Sequence, residues 1–166
     1  SALKREVAER VRVEEILKSV VEAASTSSGE EFLLFLVQHL ASGLGVSYAF
    51  IGEVADEACT KVKTLAVWAK GNRVENFEYS LAKTPCEDVI KKSLCWYPNN
   101  VREFFPEDKL LKDMNVESYI GASLVDSSHN VLGIMVAMDS KPMSDIQRHG
   151  VLFRVLANRA AFELER

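Results

Sequence analysis

The stretch Ser118–Asp139, SYIGASLVDSSHNVLGIMVAMD, decides the fold class. Apolar and small residues alternate up to Asp126, break at Ser127-Ser128-His129-Asn130, and resume to Asp139. Period-two patterning on both sides of a polar turn predicts an antiparallel hairpin. Asn130 tolerates the left-handed backbone that such a turn requires. On the second arm Leu132, Ile134, Val136 and Met138 form a bulky face, and Gly133, Met135 and Ala137 a small one. We assign the bulky face to helix packing. The small face, with Tyr119, Gly121 and Ser123, is expected to leave room for a ligand.

Further hairpins lie upstream. Val46, Tyr48, Phe50, Gly52 and Val54 alternate with smaller or polar residues, and Thr60–Lys70 carries Leu65, Val67 and Trp68. Ala55-Asp56-Glu57 joins the two. Glu75–Leu81 reads as a half-exposed strand, with Phe77, Tyr79 and Leu81 inward. Thr84-Pro85-Cys86-Glu87 is a helix start: Thr84 to cap, Pro85 at the first position, Glu87 to close the box. Leu94–Tyr97 follows as a short strand. Asn100-Val101-Arg102-Glu103 is another capping box, and Asp108–Met114 a further short helix.

Helices flank this β-rich centre. Val13, Ile16, Leu17, Val20, Val21 and Ala24 follow helical spacing. Leu3, Val7 and Val11 extend that line among charged residues. Residues 1–12 are therefore read as a helical extension, and residues 13–166 as the domain. Ser28 with Glu31 opens a second helix that Gly43 and Gly45 end. Ser144 with Gln147 opens the last, where Ile146, Gly150, Phe153, Ala157, Ala160 and Leu164 keep heptad spacing. Hairpins with helices segregated at the ends predict an α+β domain.

Composition narrows the function. In 166 residues, 48% hydrophobic and 27% charged, Lys and Arg number 20 against 24 Asp and Glu, for a net charge of −4. That fits one globular domain and lacks the basic footprint of a nucleic-acid binder. No run approaches membrane-spanning length, and no export signal is visible. Cys59, Cys86 and Cys95 form no CxxC pair, and His39, His129 and His149 are scattered, so no metal is expected. Unpaired thiols without an export signal point to the cytoplasm.

The order Phe77-x-Tyr79-x-Leu81-x-x-Thr84-Pro85-Cys86-Glu87-x-Val89, Tyr97-Pro98-x-Asn100-Val101, Phe105-Pro106-x-Asp108, Glu117-Ser118-Tyr119-Ile120-Gly121 and Val131-Leu132-Gly133 resembles bacterial GAF domains. It is most similar to the sensor modules of histidine kinases, diguanylate cyclases and related signalling proteins. The resemblance implies a six-stranded antiparallel sheet. The N- and C-terminal helices pack on one face, and a small-molecule pocket lies on the other, roofed by loops and short helices. It also implies a homodimer through the terminal helices and an effector domain in the same chain. Ser123 stands where the family often has Pro, and His129-Asn130 where it often has Gly. The Asn-Lys-x-x-x-Phe-x-x-x-Asp-Glu signature of cyclic-nucleotide binders is absent, as is the Cys-His pair of many bilin binders. The motifs therefore support neither cyclic GMP nor a covalent bilin.

The expected ligand-binding residues are Trp68, Tyr79, Cys86, Trp96, Asn100, Phe104, Tyr119, Ser123 and Met135, with no catalytic residue. The aromatic residues could instead be ordinary core, Asn100 a helix cap, and Cys86 a buried space-filler rather than a helix-activated thiolate. The leading reading is a non-catalytic sensor of an unidentified small molecule. The alternatives are a cysteine-dependent enzyme, such as a free methionine sulfoxide reductase, and a ligand-free dimerisation domain.

Overall fold

The computed structural model describes residues 1–27, 29–143 and 146–166, of which 146–149 are described by their backbone. The capping boxes read at Ser28–Glu31 and Ser144–Gln147 lie outside the described residues. Two helices come first, α1 (Ala2–Thr26) and α2 (Glu30–Leu44). Strands β1 (Tyr48–Val54), β2 (Lys61–Ala69), β3 (Asn72–Val74) and β4 (Glu78–Ser80) follow. Helix α3 (Pro85–Lys92), strand β5 (Leu94–Tyr97) and the short helices α4 (Val101–Phe104) and α5 (Lys109–Asp113) make the crossover. The hairpin β6 (Ser118–Val125) and β7 (Val131–Asp139) leads to α6 (Ile146–Glu165).

The sheet is antiparallel, in the order β3-β2-β1-β7-β6-β5, with β4 also on β2. Strands β3 and β4 share that edge, and the predicted Glu75–Leu81 strand is shortened to β4. Thr64 of β2 holds the connection between β3 and β4. Its hydroxyl contacts Asn76 Oδ1 at 3.0 Å and accepts from the Phe77 amide at 2.8 Å. Lys70 (φ 50°) and Gly71 (φ 82°) form the β2–β3 turn, where positive φ at both central residues matches the twist of the strands. In the β6–β7 turn it is His129, not Asn130, that takes the left-handed backbone (φ 66°). The Asp126 carboxylate holds this turn by accepting from the Ser128 and Asn130 amides.

Two cores lie on opposite faces of the sheet. On one, Leu36, Leu40, Leu152, Phe153 and Leu156 of α2 and α6 bury against Ala49, Ile51, Ala66, Ile120, Ala122, Met135 and Ala137. On the other, Tyr48, Phe50, Tyr119, Ile134, Val136 and Met138 pack with Cys86, Val89 and Leu111. The face assignment of the last hairpin is therefore reversed. Small Gly133 and Ala137 lie under the long helices together with Met135, and the bulky set faces the short helices. Register explains it. Tyr119 pairs with Met138 and Gly121 with Val136, while Ala122 pairs with Met135. Directly opposed residues share a face. A Cβ on Gly133 would lie 3.1 Å from Leu164 Cδ1, so the close approach of α6 requires the small residues.

Helix α1 is continuous through residue 12 and lies against α2 and α6, outside the helix layer that touches the sheet. Val20 is its one buried residue. The Arg12 guanidinium donates to the Gly43 carbonyl and pairs with Glu9 at 2.7 Å, anchoring the helix where its apolar contacts begin. The Gly29 amide donates to Glu163 Oε1 at 2.7 Å, tying the α1–α2 connection to the end of α6.

Candidate functional site

On the face away from the long helices, a cleft of about 440 Å³ opens between β4, the start of α3, and α5. Its floor is the sheet: Phe50 from β1, Tyr79 from β4, Tyr119 from β6 and Met138 from β7. Pro85 at the first position of α3 starts the helix where its missing amide costs nothing, and so delivers Cys86 to the floor. Thr84 sits at the cap position, but its hydroxyl donates to the Leu81 carbonyl at 2.7 Å and caps no amide. Asp108 is the working cap. Its Oδ1 accepts from the Leu111 amide at 3.2 Å and starts α5, which brings Leu110 and Leu111 to the cleft wall.

A thiol–phenol cluster occupies the floor. Cys86 Sγ lies 2.9 Å from the Tyr119 hydroxyl and accepts from the Tyr79 hydroxyl at 3.2 Å. Burial pushes the Cys86 thiol up to about 11, against the hydrogen bonds from Tyr119 and Tyr79, which lower it. Burial also raises both phenols, and the proximity of Cys86 raises them further. This environment favours the neutral form of all three groups, so Cys86 is held as a hydrogen-bonded thiol rather than a thiolate. Burial raises the Asp108 carboxyl, opposed by the Leu111 and Leu110 amides.

Of the nine residues expected to bind ligand, the cleft gathers Tyr79, Cys86 and Tyr119. Trp68, Trp96 and Met135 lie on the helix face, in or against the core under α2 and α6. Met135 was expected in the pocket through the face assignment of the last hairpin, and Trp68 and Trp96 as aromatic residues; the structure brings none of the three to the cleft. Asn100 is exposed at the start of α4 in a left-handed conformation (φ 56°), where its amide, not its side chain, bonds to Glu117 Oε1 at 2.8 Å. The capping box read there does not form. Arg102, beside it, is bound by Asn115 and Glu117. Phe104 is 65% exposed and stacks beside Tyr97, with ring centroids 5.9 Å apart. Ser123 shares the face of Tyr119 but points to the β5 edge, 3.5 Å from the Ser93 carbonyl.

Sequence reasoning missed Phe50, Asp108, Leu111 and Met138 as cleft residues. The alternation that places Phe77 and Tyr79 inward carried part of this signal, and the Asp108 motif another part. The three cysteines are free and sit on different elements: Cys59 exposed in the β1–β2 turn, Cys86 on α3 and Cys95 on β5. Among the described residues no group of His, Cys, Asp and Glu is arranged to hold a metal. No described helix is long and apolar enough to cross a membrane.

No family model matches the chain. A curated relative, hybrid signal transduction histidine kinase F of Dictyostelium discoideum, is 27% identical over 103 residues. The match covers 62% of this chain and 9% of that kinase. Among solved structures, the GAF domain of an Acinetobacter phosphoenolpyruvate-protein phosphotransferase superposes with a TM-score of 0.72 at 16% identity, covering 92% of each chain. That of the Coxiella burnetii phosphotransferase gives 0.71 at 13%, over 93% of this chain and 94% of the other. The phycocyanobilin-bound GAF domain of a cyanobacterial phytochrome gives 0.68 at 13%, over 90% and 92%. Likeness at such identities speaks for architecture, and the architecture is the one built above from the residues: this chain folds as a GAF domain.

Proposed function

We propose that this chain is a non-catalytic sensory or regulatory domain that takes a small molecule in the cleft and passes its state to the terminal helices. The observation that carries this reading is the position of β7. Met138 lines the cleft and Met135, three residues earlier, is buried under the helices. A guest that displaces Met138 therefore acts on the strand that supports α6. Glu163 and Glu165 extend the path, since they tie the end of α6 to the Gly29 amide and to Ser127. A switch of this kind needs only differential affinity between two helix arrangements.

The output is proposed to run through a homodimer of terminal helices into an effector domain of the same protein, as in two-component signalling. Leu3, Val7 and Val11 on α1, and Val151 and Phe162 on α6, support a helix-mediated partner because they are exposed apolar residues on the same two helices. Free thiols fit a reducing cytoplasmic setting. The enzyme alternative is less favoured, because Cys86 is buried as a neutral thiol.

Native mass spectrometry of gently purified protein, with thermal-shift screening of small molecules, tests the reading. A cleft-filling Leu110→Trp substitution is expected to abolish any shift while leaving the protein folded. Equal binding by the Trp variant would place the ligand elsewhere and overturn the proposal.

A further inference from the structure

The walls of the cleft carry a definite chemistry. Phe50, Phe77 and Tyr79 form a triangle of rings. Their centroids lie 5.9 Å apart for Phe50–Tyr79 and Phe77–Tyr79, and 6.3 Å for Phe50–Phe77. Phe77 and Tyr79 are half-buried and line the cleft, so part of each ring faces it. Around them stand Glu78, Glu107, Asp108 and Asp113, against Lys109 as the one lining cation among the described residues. Glu107 is neutralised by Lys83 at 2.8 Å. Asp108 is different. It is 9% exposed, lies close enough to raise both Tyr79 and Cys86, and has no ion pair with a described cation. Its compensation comes from backbone amides of α5.

From these walls we infer that the cleft takes an organic cation: a quaternary ammonium, or a protonated amine, on an apolar or aromatic body. The inference rests on the cleft being the ligand site, as proposed above. Ring faces attract a desolvated cation, and a buried carboxylate without a counter-ion attracts it further. An anion meets the opposite situation. The α5 amides that could receive it are occupied by Asp108, and the acidic rim repels it. A neutral apolar guest gains the rings but leaves Asp108, held by amides alone, without a counter-ion. The cysteine and the two phenols of the floor are neutral at pH 7 and favour neither sign.

The test is calorimetric titration of the chain with benzyltrimethylammonium, its neutral isostere neopentylbenzene, and phenylacetate. The cation is expected to bind about tenfold more tightly than the neutral isostere, and phenylacetate more weakly than both. Asp108→Asn keeps a side chain that caps helices well, so the fold is retained, which its melting temperature checks. This variant is expected to lose most of the cation preference while binding the neutral probe unchanged. Paired Glu78→Gln and Asp113→Asn changes, both at exposed residues, should weaken the cation by roughly threefold. Equal affinity for cation and neutral probe, tighter phenylacetate, or an unchanged ratio in Asp108→Asn overturns the cation assignment and leaves the ligand site standing. Absence of binding by every probe overturns both.

Discussion

The Cys86 sulfur and the Tyr119 hydroxyl lie 2.9 Å apart, although 33 residues separate them in sequence. The contact joins α3 to β6, and Tyr79 closes it from β4 at 3.2 Å. Three polar groups are thereby satisfied by one another on an apolar floor. This is how a buried thiol and buried phenols are accommodated without charge.

Thiol reactivity follows from that environment. At pH 7.5 a colorimetric thiol reagent is expected to label Cys59 quickly, because it is exposed, and Cys86 only after unfolding. Cys59→Ser should remove the fast phase. Fast labelling of Cys86 in the folded protein would contradict the hydrogen-bonded thiol.

Alkaline stability has a definite sign. The Cys86 thiol is raised from 9.0 to about 11 in the folded state. Below pH 9 both states hold the proton and the group contributes nothing. Between pH 9 and 11 the unfolded chain loses it and the folded chain keeps it, so stability falls as pH rises. Once pH exceeds 11 the stability lost this way reaches about 3 kcal/mol. Urea midpoints measured from pH 8 to 11 should fall more steeply for the native chain than for Cys86→Ser. Parallel curves would show that the thiol is not held in its neutral form.

Two glycines should differ sharply. A Cβ on Gly133 would lie 2.1 Å from the Gly52 carbonyl oxygen, which is backbone and cannot move aside. Gly133→Ala is expected to cost about 3 kcal/mol, as overpacking against a fixed wall does. Gly71 meets nothing within 4 Å, and its φ of 82° is its sole demand, so Gly71→Ala should cost about 1 kcal/mol. Denaturant titration of both variants measures the difference. Near-equal midpoints would argue against the close β1–β7 approach.

The proposed helix-mediated dimer is tested at α1. Leu3 is 70% exposed and Val7 52%. Leu3→Glu with Val7→Glu should shift sedimentation towards the monomer without lowering the melting temperature. An unchanged oligomeric state would remove these residues from the interface.

Most of the element order was legible because alternation and helical spacing are written locally. The sequence also placed Pro85 at the start of α3 and paired the last two strands. What it did not carry was which face of β7 receives the long helices. Alternation separates Gly133, Met135 and Ala137 from Ile134, Val136 and Met138, but it is symmetric between the two sides. Reading small residues as empty space chose the wrong side. Small residues at Ala49, Ala66, Ala122 and Ala137 let α2 and α6 approach the sheet, while bulky residues build the floor beneath the short helices. The error carried Met135 into the expected site with it, while Trp68 and Trp96 were expected there as aromatic residues and pack instead against the helix-side core. Asp108 was hidden for another reason: it meets Tyr79 of β4 at the cleft, a juxtaposition of distant segments that no local pattern records.

The central claim is that a guest in the cleft is felt on the far side of the sheet through β7. Methionine-methyl NMR measures this on one strand, because Met138 lines the cleft and Met135 lies among the helices. On titration with benzyltrimethylammonium, the account predicts a large shift at Met138, a smaller saturating shift at Met135 with the same midpoint, and both lost in Leu110→Trp. A saturating shift at Met138 with Met135 unmoved would contradict the relay.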